Sequence, residues 1–229
     1  AGVGLMVWYH ARQPHEAFPE PKAIPAAPGT DSQRWSALYF AIAMALFLVQ
    51  VGMGVLTAHD AVEGNALYGL DLSRIMPYAA SRTWHLQLAV FWIATCWLAM
   101  GLYLGPKLSG REPKGQALGV AGLLLALVVV VGALVGGHQA VLGKLSGSFL
   151  LGHQGYEYVE LGRLWQILLT AGMVIWLVLV VRALRPALQA ERGHLGLLKL
   201  FLLSAVAIPL FYSAGFMYTR ETHLALAEY

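Results

Sequence analysis

Ser36-Ala-Leu-Tyr-Phe-Ala-Ile-Ala-Met-Ala-Leu-Phe-Leu-Val-Gln-Val-Gly-Met-Gly-Val-Leu-Thr-Ala58 carries no charged side chain from end to end. About 20 apolar residues in a helix cross the ~30 Å hydrocarbon layer of a bilayer, so this stretch is long enough to span it. Four more runs follow. In 83–106 the only charged or imidazole side chain is His85, and in 116–143 it is His138. The runs 164–181 and 200–219 are uncharged, and Pro209 predicts a kink in the second. Backbone polar groups in lipid must be satisfied within the segment, which makes these runs helices rather than strands. The predicted fold class is all-α: a polytopic transmembrane helix bundle of five full spans.

Composition agrees. Of 229 residues, 58% are hydrophobic and 12% charged, against roughly 45–50% and about 25% in soluble domains. An ordinary soluble enzyme, a nucleic-acid module and a disordered chain are thereby excluded. The net charge of +3 comes from basic residues placed between apolar runs, where they read as membrane flanks. The single cysteine, Cys96, lies inside an apolar run and forms no intrachain disulfide.

Ala1–Tyr9 reads as the end of a preceding helix, and both termini read as cuts in a longer polypeptide. Residues 13–29 are proline-rich and read as an extended linker. The expected organisation is therefore 1–35 as helix end plus cytoplasmic linker, and 36–229 as the membrane bundle. Lys and Arg set its orientation. Arg12, Lys22, Arg34, Lys107, Arg111, Lys114, Arg182, Arg185, Arg192 and Lys199 fall on one side. Arg74, Arg82, Lys144, Arg163 and Arg220 fall on the other. The richer side is expected to be cytoplasmic.

On that topology His59, His85, His138, His153 and His223 lie on or near the outer side, while His10, His15 and His194 are inner. Imidazole is the commonest metal ligand and a usual proton carrier. His85 sits inside a span, where an ionisable group is a functional hypothesis by default. It reads either as an axial ligand to a haem iron, with Ala89, Ala94 and Ala99 giving a flat ligand room, or as an interfacial histidine bonded to a neighbouring helix. His59 and Glu63, four apart, share a helical face. They read as acceptors for the two protons of a quinol or as a surface pair. Glu157 and Glu160, three apart, suit a hard cation such as calcium or the acidic first turn of a helix. The chain contains no phosphate loop, CxxC, CxxCH, HExxH or GxSxG.

Three blocks resemble one family. Arg82-Thr-Trp-His-Leu-Gln-Leu-Ala-Val-Phe-Trp-Ile-Ala-Thr95 resembles the second core helix of the nitric oxide reductases of the haem–copper oxidase superfamily. His153-Gln-Gly-Tyr-Glu-Tyr-Val-Glu160 is similar to their outer loop with two glutamates. Gly215-Phe-Met-Tyr-Thr-Arg-Glu-Thr-His223, with Ala227-Glu-Tyr229 after it, resembles the stretch before their iron-binding helix. The likeness runs from about Ser36 to the end and is nearest to the single-chain, quinol-dependent type.

The resemblance implies a membrane enzyme that oxidises quinol and reduces two NO to N₂O and water. It implies low-spin and high-spin haem b, a non-haem iron and a calcium. His85 would be an axial ligand of the low-spin haem, and Arg82 would meet the haem propionates. Glu157 would bind calcium with Glu160 behind it, and His59, Glu63 and Leu67 would contact the quinol. The remaining haem and iron ligands would lie beyond Tyr229, so no catalytic residue is expected within 1–229. Expected partners are membrane lipid, quinol, the rest of the same polypeptide and a second copy of the chain in a homodimer, but not nucleic acid. The expected location is the bacterial inner membrane. Two alternatives stay open: a relative that takes electrons from cytochrome c or dismutates NO, and a haem-free channel or transporter.

Overall fold

The structure, a computed structural model, describes residues 2–12, 29–64, 69, 71–145, 148–153, 160–190 and 195–214. Seven helices account for most of them: α1 Gly2–Arg12, α2 Asp31–Glu63, α3 Tyr78–Ser109, α4 Gln116–Gly122, α5 Leu125–Val141, α6 Arg163–Gln189 and α7 Leu195–Ala214. Among the described residues there is no strand, only an isolated antiparallel bridge between His153 and Leu161. Five helical stretches are long and apolar enough to cross a membrane, with α4 and α5 together forming the third. The all-α, five-span reading is therefore correct.

The spans outrun the apolar stretches that announce them. A capping box at Thr30 carries the start of α2 back to Asp31: the Thr30 hydroxyl accepts from Gln33 N–H, and the Gln33 side chain accepts from Thr30 N–H at 2.9 Å. Two orphan donors of the first turn are thus satisfied. At the other end of the bundle's chain direction, α6 continues through Arg182, Arg185 and Pro186 to Gln189. Arg182 donates to the Lys114 carbonyl at 3.0 Å, joining this extension to the α3–α4 turn. The third run differs from expectation. It breaks at Leu123 and Leu124, where Leu124 N–H bonds Ala121 O and Leu127 N–H bonds Leu124 O, three residues back. That tighter hydrogen-bonding pattern separates α4 from α5. The fifth span covers Leu195–Ala214 with Pro209 buried inside it, and 215–219 lie outside the described residues.

Helix α3 sits at the centre. It packs along α2 most extensively, and also against α5 and α6, while α6 touches α4, α5 and α7. The core gathers Trp176, Val180 and Leu184 of α6 with Ala99 and Leu102 of α3, Val120 of α4 and Tyr39 of α2. Small residues let the helices close. A methyl group at Gly105 would stand 2.7 Å from the Ala183 methyl, so α3 and α6 approach nearly backbone to backbone there. Buried polar side chains turn to main-chain carbonyls: Tyr39 donates to Val120 O at 2.6 Å, Gln116 to Leu179 O at 3.0 Å and Trp176 to Leu98 O at 2.9 Å. Each bond removes a polar group that hydrocarbon would penalise.

The outside is apolar as well. Leu48, Val90, Leu125, Val128 and Leu203 are all exposed, which in water would be a large liability and in a membrane is ordinary. A cavity of about 190 Å³ lies between α2, α3, α5, α6 and α7. Leu46, Phe91, Leu98, Leu127 and Met173 form much of its wall.

Candidate functional site

His85 points from α3 into the seam with α2. Its Nδ1 lies 2.9 Å from the backbone oxygen of Gln50. A carbonyl can only accept, so Nδ1 carries the proton and the lone pair is on Nε2. Metal-binding histidines are commonly arranged in this way: the outer nitrogen donates to a carbonyl, and the other is left oriented for the metal. The Gln50 side-chain amide stands 3.1 Å from Nδ1 and 3.5 Å from Nε2. The protonated Nδ1 offers it no acceptor, and 3.5 Å is long for a bond to Nε2. This is the bond to a neighbouring helix that the interfacial reading expects, and its tautomer is also the one an axial ligand needs.

Of the small residues expected to make room, Ala89 lies one turn after His85 on the same face of α3; the other two lie elsewhere. Ala94, nine positions after His85, is two and a half turns on and faces the opposite way, into the cavity. Ala99 is fully buried in the core beside Trp176. The small residue at the ring is Gly54 of α2, against the edge formed by Cε1 and Nδ1. Gln50 and Gly54 are the site residues missed in the sequence. Gln50 had a signal, since it is a strongly polar side chain deep in an uncharged run.

His59 and Glu63 come together on the last turns of α2, with Nδ1 and Oε1 3.1 Å apart and both side chains about one-third exposed. His59 stands five residues beyond Gly54, hence about 7–8 Å farther along the helix axis than the His85 seat. The spacing of four is thus realised as a contact. Leu67 and Glu157 lie outside the described residues. Glu160 is half-buried, next in sequence to Leu161, which bridges to His153. Arg82, one turn before His85, is half-buried at the start of α3. Among the described residues, no three His, Cys, Asp or Glu side chains gather into a metal site.

His138 has a structural place. Its Nε2 donates to Ile75 O at 2.6 Å, its Nδ1 accepts from the Gln139 amide at 3.1 Å, and its ring tilts against Trp84. It fastens the α2–α3 loop to α5 just before α3 begins. In that loop Asp71 accepts from Ser73 at 2.6 Å and pairs with Arg74 at 3.1 Å. The Ser73 hydroxyl, chiefly, holds the Asp71 carboxyl below the usual carboxylate range.

Five membrane-length helices make this a multi-pass membrane protein, with an imidazole set between two of its spans. The family model described as "Cytochrome C and Quinol oxidase polypeptide I" matches residues 34–228. The chain belongs to that family, the oxidoreductases of haem–copper oxidase type, whose members bind haem and metals. Comparison with curated proteins gives no match.

Proposed function

We propose that the chain is the electron-entry part of a quinol-dependent nitric oxide reductase, located in the bacterial inner membrane. The supporting observation is the state of His85 inside the Arg82–Thr95 block: Nδ1–H is committed to Gln50 O, and Nε2 holds the lone pair with the Gln50 amide no nearer than 3.5 Å. His85 would be one axial ligand of a low-spin haem b. A haem bound there supplies one-electron redox chemistry between quinol and the reaction centre. Arg82 would carry its guanidinium towards the propionates, a geometry that suits carboxylates. Glu157 would hold calcium beside them, with Glu160 as its neighbour. Ligands for a high-spin haem b and a non-haem iron would come from residues outside this sequence.

His59, Glu63 and Leu67 would form the quinol site. Oxidation of one quinol releases two electrons and two protons, and reduction of two NO to N₂O and water consumes the same numbers. His59 and Glu63, 3.1 Å apart, offer an acceptor for each hydroxyl proton, as positioned acid–base groups do. Leu67 would lie against the ring. Family membership favours this haem-protein reading over a channel or transporter.

The test uses the full polypeptide purified with its cofactors. Dithionite-reduced spectra should show b-type bands, and quinol should drive NO consumption. His85→Ala should lose the low-spin haem and keep a high-spin one, because a methyl group cannot replace an axial bond. A His85→Ala protein with two haems and an intact low-spin band would overturn the reading.

A further inference from the structure

Gly54 is a glycine in the interior of a 33-residue helix, a position where alanine would be the more favourable residue. Its φ is helical, so no turn or left-handed conformation requires it there. The reason is tertiary. A Cβ built on Gly54 would lie 2.7 Å from Cε1 and 2.8 Å from Nδ1 of His85, but 3.6 Å from Nε2. Contacts under 3.0 Å are essentially never made by real Cβ atoms. The clash would fall on the proton-bearing edge of the ring, the edge held by Gln50 O.

The seam has little freedom to open. Nearer the His59 end, the Thr57 and Ser81 hydroxyls meet across α2 and α3 at 3.2 Å, Thr57 sharing its proton with Met53 O at 2.8 Å. Deeper in the bundle, Phe47 and Trp92 meet edge to face with centroids 5.4 Å apart. Leu88, one turn after His85, is fully buried. With the helices pinned on both sides of the ring, an added methyl must displace the imidazole rather than the backbone. A displaced ring gives up the Nδ1–H bond to Gln50 O, and Nε2 loses its direction. Gly52 supplies the contrast: it sits in the same helix two residues earlier, exposed, with nothing within 4 Å of a built Cβ.

We infer that Gly54 is a positioning residue for His85, its missing side chain forming the seat that fixes the imidazole's proton-bearing edge on Gln50 O and thereby sets the direction of Nε2. The inference rests on His85 being the axial ligand.

Gly54→Ala, Gly54→Val, Gly52→Ala, Gly52→Val and His85→Ala are made in the full polypeptide and purified with cofactors. Haem content, the low-spin absorption band and the low-spin electron paramagnetic resonance signal are read for each. Gly54→Ala should keep two haems and shift the low-spin resonance. Gly54→Val should lose the low-spin band and keep the high-spin haem. Both Gly52 variants should match wild type. If Gly54→Val does not accumulate, Gly54→Ala decides: an unshifted low-spin signal there overturns the proposal. Equal effects at Gly52 and Gly54 also overturn it, since the cause would then be helix propensity. An intact low-spin haem in His85→Ala sinks the ligand assignment itself. Loss in His85→Ala beside wild-type spectra at Gly54 sinks only the role of Gly54.

Discussion

Ser32, in the first turn of α2, donates both its backbone N–H and its hydroxyl to one oxygen of Glu112, at 3.2 and 3.0 Å, across 80 residues of sequence. Thr30 and the backbone N–H of Ala117 in α4 stand near enough to favour the charged form of the same carboxylate. One negative group thus serves the positive ends of two helices. Burial pushes the Glu112 carboxyl up, but these hydrogen bonds outweigh it and hold it below the usual 4.5. A depressed folded pKa adds stability above the unfolded value, and this is lost as pH falls through the folded value. Glu112→Ala should therefore cost about 1 kcal/mol at neutral pH, allowing for solvent screening. Thermal unfolding in detergent should show the gap between wild type and variant closing as pH falls below the usual carboxylate value of 4.5. A gap that ignores pH would mean that Glu112 acts only by packing.

His59→Ala and Glu63→Ala should each lower quinol-driven NO reduction by roughly a hundredfold, the usual scale for a lost acid–base group. Turnover with an artificial donor that bypasses quinol should stay near normal. Equal loss with both donors would show that the pair supports the fold or the haem, and the quinol site would have to be placed elsewhere.

Glu157→Ala should reduce bound calcium, with affinity falling at least about tenfold, and activity should fall with it. Two propionates without a cation between them repel, and a low dielectric magnifies the repulsion. Metal analysis after chelator-free purification is the measurement. A wild type without calcium would return Glu157 to the part of a helix-capping acid.

His138→Ala should loosen the loop that leads into α3. The bond from Nε2 to Ile75 O is worth about 1 kcal/mol, so amides around residues 72–78 should exchange severalfold faster. The low-spin haem band should be retained, because His138 bonds to the loop and to Gln139. Loss of that band would make His138 part of the cofactor site.

The spans were legible because lipid tolerates few charges, and 36–58 and 83–106 state this plainly. Their ends were less so, since hydropathy is silent once a helix leaves the hydrocarbon. Thr30 and Gln33 do spell a capping box, a signal visible in the sequence and not used. The break at Leu123 and Leu124 had no such mark, because leucine fits either side of it. His85 stood out as an imidazole within a span. Its seat did not, because Gly54 meets it only through the packing of two helices, 31 residues apart in sequence. His59 and Glu63 were legible from helical spacing alone, which α2 realises by running on to Glu63.

The cavity walled by Leu46, Phe91, Leu98, Leu127 and Met173 has a practical consequence. Apolar spaces of this size admit noble gases, and voids that unfolding eliminates make a folded state sensitive to pressure. Crystals of the protein pressurised with xenon should take up a heavy atom among α2, α3, α5, α6 and α7. That would give experimental phases without a covalent label. The same space makes the middle of the bundle the region expected to yield first under hydrostatic pressure.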